Sequence, residues 1–373
     1  MGTSDRSGRQ ARRAAANAGQ AARIAMAGLL AAAALCSPLT ASAETLSDAQ
    51  KISKREELRQ FFDAAIANTD PDAPKQPRQR LRFTVTGSTR LGYDSNVDLD
   101  TIEDEDGFYQ ERAGGLLEYD PTGWEIKGRQ VTLGAAGNYN YLGYFDRDDM
   151  DRQGGSASPY VRMRLDERFT LEGGYKFRAT HYADQDDLNY QSHGGRLALS
   201  HRIAAGLSHK GEFRYERLDY SDRKQLRPNR TFGDAEREDD RYEAAYGVRY
   251  RMGRWTTRVE GSWMWNDSND QYFDYNDYDD FGLDASVSVR TTERWILTGF
   301  GGWRNRSFDS RATIPGSLEV QDDDWFYAGG RVFFALNTWS GFDVTATYSE
   351  NNSNDTNHEY DDLIVSAGFH LFF

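Results

Sequence analysis

The sequence predicts an all-β fold, a transmembrane antiparallel up-and-down β-barrel of about 14 strands with a short N-terminal helical extension. Three observations predict it. From Leu363 to Phe373 the side chains alternate, with Leu363, Val365, Ala367, Phe369, Leu371 and Phe373 on one face and Ser366, Gly368 and His370 on the other. That is the period-2 signature of a strand with one apolar side. The pattern recurs back to Leu81, and the connections between its segments alternate between long acidic stretches and tight turns. Tryptophans stand beside both kinds of connection.

The chain opens differently. Arg6, Arg9, Arg12, Arg13 and Arg23 precede an apolar run from Ile24 to Leu35, and Ala41-Ser42-Ala43 supplies small residues for cleavage, so residues 1–43 read as a secretory signal peptide. The only cysteine, Cys36, falls inside that segment, which fits export without disulfides. Removing the segment takes away five arginines and Asp5, so the formal charge moves from -14 to -18. Neither a nucleic-acid partner nor a cofactor is expected of so acidic a chain, and the expected location is the outer membrane.

Residues 44–80 form the next unit. Leu46, Ile52, Leu58, Phe61, Phe62, Ala65 and Ile66 recur at helical spacing among Lys51, Lys54, Arg55, Glu56 and Glu57, and Pro71, Pro74 and Pro77 end the pattern. This reads as a periplasmic amphipathic helix and linker. A docking segment, a plug for the barrel and a loose extension are all open as its role.

Residues 81–373 are expected to form the barrel. The clearest strands are 81–94, 131–145, 169–183, 207–220, 242–252, 255–265, 281–289, 295–307, 342–348 and the terminal one. Long connections fall at 95–107, 146–154, 221–240, 266–277, 309–323 and 350–361, with a shorter one at 184–187. Tight turns fall at 166–168, 204–206, 252–254, 291–294 and 337–341. Outer-membrane barrels have even strand numbers, short periplasmic turns and long external loops. No stretch after the signal peptide has the apolar length of a spanning helix.

Tryptophan placement supplies a thickness. Trp124, Trp255, Trp295 and Trp339 lie beside short turns, and Trp263, Trp265, Trp303 and Trp325 near long loops, as two interfacial girdles require. Ten steps of about 3.3 Å from Trp255 to Trp265, tilted near 40°, span roughly 25 Å of membrane.

If the aromatic face meets lipid, the other face lines the lumen, and it is charged and net basic. Arg82, Arg90, Arg162, Arg164, Lys176, Arg178, Arg214, Arg249, Arg251, Arg258, Arg290, Arg304 and Arg306 alternate there with Glu172, Glu212, Glu216, Glu243 and Glu260. Such a face guides anions by focusing the field. Alternatively its charges pair and fill the interior.

The long connections hold carboxylate clusters: Asp98 to Asp106, Asp146 to Asp151, Asp274 to Asp280, and Asp322 to Asp324. None fits the calcium-loop pattern, so no metal site is expected and these clusters read as solvated surface loosely bridged to the anionic outer leaflet of lipopolysaccharide. His181 and His193, with Ser192 and Asp184 or Asp186, were the residues to weigh for hydrolysis, but Tyr190 to Gly195 matches no esterase motif and the chain is expected not to be an enzyme. Gly301-Gly302 and Gly329-Gly330 read as close-packing or kink positions.

Two strings carry a family resemblance. Leu91-Gly92-Tyr93-Asp94-Ser95-Asn96-Val97 ends the first strand, and Tyr348-Ser349-Glu350-Asn351-Asn352-Ser353-Asn354 with Tyr360-Asp361-Asp362 forms the last hairpin. Over residues 81–373 the chain resembles the barrel domain of surface lipoprotein assembly modifiers, and it is similar to barrels encoded with exopolysaccharide systems. The first resemblance implies a fourteen-stranded barrel that helps lipoproteins reach the cell surface, usually behind a periplasmic tetratricopeptide region, which residues 44–80 are too short to supply. Export or passage across the outer membrane is the expected role, with a lipoprotein client or an anionic polysaccharide as cargo. A porin-like channel for anionic solutes is the alternative, and an outer-membrane lipid or peptide hydrolase a third reading. The barrel assembly machinery is an expected partner, with Phe373 as the assembly signal.

Overall fold

The computed structural model describes residues 81–373 apart from 98, 100–104, 122–124, 127–128, 227–231, 271–273 and 314–318. The signal-peptide and helical-extension expectations therefore lie outside the described residues, as does Trp124.

Fourteen long strands make one antiparallel sheet: β1 Leu81–Asp94, β2 Asp106–Tyr119, β3 Arg129–Tyr144, β4 Arg152–Arg164, β5 Phe169–Tyr182, β6 Tyr190–Ala204 and β7 Leu207–Leu226. They continue with β8 Phe232–Met252, β9 Trp255–Ser268, β10 Tyr278–Arg290, β11 Trp295–Ala312, β12 Val320–Ala335, β13 Ser340–Ser353 and β14 Tyr360–Phe372. A two-residue piece, Glu125–Ile126, pairs with the start of β3. Each strand pairs with its chain neighbours, and β1 also pairs with β14, Thr86 opposite Phe372 and Asp94 opposite Ile364. The sheet closes, so no edge remains open. At about 4.8 Å between strands and ~40° tilt, the backbone ring is roughly 28 Å across.

The sorting of faces inverts that of a water-soluble protein. Phe83, Leu91, Val161, Leu197, Tyr246, Trp263, Leu283 and Phe369 are exposed on the outside, while Arg178, Glu172, Glu212, Arg304 and Asp343 are buried on the inside. A continuous apolar exterior of this extent needs lipid to cover it.

Turn chemistry fixes the short-turn end. Asp166 accepts the amides of Arg168 and Phe169 at 2.6 and 2.7 Å, Thr292 those of Arg294 and Trp295 at 3.2 Å each, and Asn337 those of Trp339 and Ser340 at 2.9 and 2.8 Å. One short polar side chain thus organises each of these reversals. The other two turns place Gly206 and Gly253 at φ +79° and +58°, where a Cβ is disfavoured.

The long-loop end departs from the sequence reading. Residues 221–226 and 232–240, expected as loop, continue β7 and β8 to 20 and 21 residues. Lys224 stands opposite Glu236 and Asp219 opposite Glu238. Above the lipid band neither face of a ribbon meets lipid, so charged residues replace the apolar alternation while the backbone ladder runs on. Trp325, expected in the outer girdle, lies on the inner face and stacks on Tyr327 at 5.0 Å. Val97, Phe108, Leu142, Tyr144 and Ile364 form a small buried core under the β1–β2 connection.

Close packing explains several glycines. A Cβ on Gly302 would overlap the Tyr327 ring, and one on Gly329 the Phe300 ring and the Ala346 carbonyl. At Gly194 the obstacle is backbone, the carbonyl oxygen of Tyr215 on β7. Gly194→Ala is therefore expected to cost about 2 kcal/mol or more, read as a lower urea midpoint. Gly211→Ala, with nothing within 4 Å of its Cβ position, is the control. Equal midpoints for the two variants would contradict this packing.

Candidate functional site: the charged inner wall and its two ends

Alternation along each strand sends every second residue to the inner wall, and there the charges form a shared network. Arg162 donates to Glu172 and to Glu118, 2.7 Å each, with its guanidinium 5.0 Å from the Tyr160 ring. Glu172 also pairs with Arg196. Lys176 donates to Glu216 at 3.0 Å, and Arg178 lies 3.9 Å from the same carboxylate. Arg214 bridges Glu212 and Glu243, with Lys210 on the far side of Glu212. Arg258 donates to Glu260 at 2.7 Å. Arg304 and Arg306 share Asp280 at 3.4 and 2.8 Å, and Arg306 lies 4.3 Å from the Tyr278 ring.

Most of these carboxylates serve two cations. Arg162 and Arg214 in turn each serve two carboxylates, so the charges form a shared network rather than isolated pairs. The contacts run along the wall over one or two strand spacings, as the width of the ring requires.

A denser cluster spans the closing seam. Arg90 of β1 donates to both oxygens of Asp343 on β13 at 3.2 and 3.0 Å, Arg331 of β12 and Thr345 each donate at 2.8 Å, and His370 of β14 completes the set. The Asp343 side chain is 0% exposed. Four strands on both sides of the seam thus meet at one carboxylate.

The two ends carry different sets of charged groups. Toward the short turns the inner face carries Arg164, Arg202, Arg249, Arg251 and Arg290, with Arg164, Arg202 and Arg251 exposed. Arg249 stands directly opposite Arg258. Toward the long loops carboxylates gather, and burial pushes the Asp277 carboxyl up to about 6, helped by Asp267, Asp274 and Asp309 and opposed by the amide of Ser268. Arginines share that end with the carboxylates, Arg237 and Arg241 at Asp239 and Arg304 and Arg306 at Asp280.

The inward positions expected from alternation, Arg162, Arg164, Lys176, Arg178, Arg214, Arg249, Arg251, Arg258, Arg290, Arg304 and Arg306, share the face of these carboxylates. Arg164 stands apart from the network and donates to the Asp166 carbonyl at its turn. Asp280, taken with the loop carboxylates, is instead 2% exposed inside the wall, and Asp106 is 5% exposed, accepting the amides of Asp146 and Arg147. Strand ends in charged runs alternate in and out like the rest, which a cluster count hides. The same parity places Asp343, Arg331, Arg196 and Lys210 inside, where they join the network.

Ser192 and His193 lie on opposite faces. Ser192 donates inward to Glu216 at 2.7 Å, whereas His193 lies outside, 3.7 Å from Asp219. They cannot act as a nucleophile and base pair in this geometry. Among the described residues no group of three or more His, Cys, Asp or Glu is placed to hold a metal ion.

The strings that carry the family resemblance work locally. Ser95 donates to Asp362 at 3.2 Å, Asn96 to the Asp361 carbonyl at 3.2 Å, and Asn351 to the His358 carbonyl at 2.6 Å. They tie the first strand to the last hairpin.

A closed sheet with an apolar exterior, aromatic bands near both ends and a charged interior defines a transmembrane β-barrel of the outer-membrane type. No known protein family matches the chain, and no curated protein does. Among solved structures it is similar to outer-membrane expressed OmpT of Vibrio cholerae, with 9% identity, TM-score 0.45, and 80% of this chain and 99% of that one covered. It is also similar to an anion-selective porin from Comamonas acidovorans, with 10% identity, TM-score 0.45, and 79% and 99% covered. A Pseudomonas aeruginosa FadL homologue gives 9% identity, TM-score 0.41, and 79% and 89% covered.

Proposed function

We propose that this barrel is a non-enzymatic passage through the outer membrane that favours anionic solutes or polymers. The arginines on the inner face toward the short turns carry the reading. With short turns facing the periplasm, Arg164, Arg202, Arg249, Arg251 and Arg290 surround the inner mouth. A low-dielectric channel lined by one sign of charge concentrates the opposite ion. The shared carboxylates hold the wall arginines in place, and the acidic loops favour release outward. The resemblance to surface lipoprotein assembly modifiers supports a lipoprotein client instead, but the residues behind it serve barrel closure in this geometry.

The experiment is charge reversal at the inner mouth. In planar bilayers with a salt gradient, Arg249→Glu with Arg251→Glu is expected to lower the anion-to-cation permeability ratio by about threefold or more. Unchanged conductance and unchanged selectivity would count against the reading.

A further inference from the structure

At the opposite mouth, two arginines hold one carboxylate and a third stands over a neighbouring tyrosine ring. Arg237 on β8 is bonded twice to Asp239, 2.7 Å at each oxygen, and Arg241 lies 3.8 Å from the same group. Asp239 is 0% exposed and Arg237 5%. Arg223 on β7 stands over the Tyr220 ring at 5.7 Å, and Arg237 stands over that ring at 5.2 Å. Among the described residues Arg223 has no carboxylate at ion-pair distance, and it is half-buried. Tyr220 is itself held by Tyr190, 5.9 Å between ring centres.

We propose that Arg223, Arg237 and Tyr220 form an oxyanion-binding site on the inner side of the β7–β8 hairpin, taking the carboxylate or phosphate group of a passing solute. Asp239 fixes the Arg237 guanidinium, which is held over the Tyr220 ring. Arg223 supplies a second fork with no anion of its own. Guanidinium groups bind planar oxyanions through paired hydrogen bonds, and the ring beside them excludes water from one side. The site deepens the passage reading and rests on it for the route by which solute arrives, but binding can be measured without conduction.

The test is isothermal titration of the full chain in detergent with galacturonate and, separately, inorganic phosphate. Both probes share the oxyanion, and only galacturonate carries a sugar ring. Saturable binding of at least one is expected, weakened about tenfold or more in Arg223→Gln. Arg223→Lys, which keeps the charge and loses the fork, should restore only part of it. Absence of saturable binding by the native chain, or equal affinity in Arg223→Gln, would overturn the site. If binding is lost in Arg223→Gln while the Arg249 and Arg251 reversals leave selectivity unchanged, the site stands and the passage reading fails.

Discussion

Asp343→Ala is expected to be the most damaging single change in the barrel wall, costing about 3–5 kcal/mol. Its carboxylate is fully buried and holds Arg90, Arg331, Thr345 and His370 together across the seam between β1 and β14. Removing it leaves two guanidinium groups facing each other with no anion between them, where the desolvation already spent on them is no longer offset. Asp343→Asn keeps acceptor capacity and loses the charge, so it should fall between. The exposed pair Lys224 and Glu236, with side chains 38% and 50% accessible, is the comparison. Breaking it should cost about 1 kcal/mol or less. Urea midpoints of the refolded barrel order these variants, and an Asp343→Ala midpoint equal to that of the surface variant would remove the seam cluster from the account.

Phe373→Ala is expected to act on assembly. The Phe373 ring is 68% exposed and stacks on Trp339 with centroids 6.2 Å apart, in the aromatic band at the short-turn end. The backbone of Phe373 pairs with Val85 in both directions, at 2.9 and 2.7 Å, and alanine keeps those bonds. Losing the ring therefore costs the finished barrel roughly 1–2 kcal/mol, within reach of a fold closed on all sides. If the barrel-insertion machinery engages an aromatic at this strand, the amount of barrel in the membrane should fall several-fold. Molecules that do insert should conduct like the native chain. Normal insertion of Phe373→Ala would show that the ring is only a girdle residue.

Much of this was legible in the sequence because one physical rule covers the spanning region. Lipid outside and water inside impose strict alternation, so the inner positions of Arg162, Lys176, Arg214 and Arg304 follow from parity alone. The rule stops where lipid stops. Beyond Tyr220 neither face of the β7–β8 ribbon meets lipid, and its charged residues read as loop although the ladder continues to Leu226 and from Phe232. Trp325 kept its expected height but took the inner face, since tryptophan is at home against Tyr327 as well as at an interface. Pairing partners were invisible for a different reason. Arg90 and Asp343 are 253 residues apart and meet only because the first and last strands close the ring. Alternation names the face of a residue, while closure and strand tilt decide its neighbours.

If the charged wall and its arginine-rich inner mouth select anions, the protein itself should prefer chloride to potassium. The most direct measurement is the reversal potential of the native chain in a planar bilayer under a tenfold potassium chloride gradient. The expected potential has the sign of chloride-preferring conduction and shrinks as ionic strength rises and the wall is screened. A cation-preferring potential, or membranes that stay silent with correctly folded protein inserted, would contradict it.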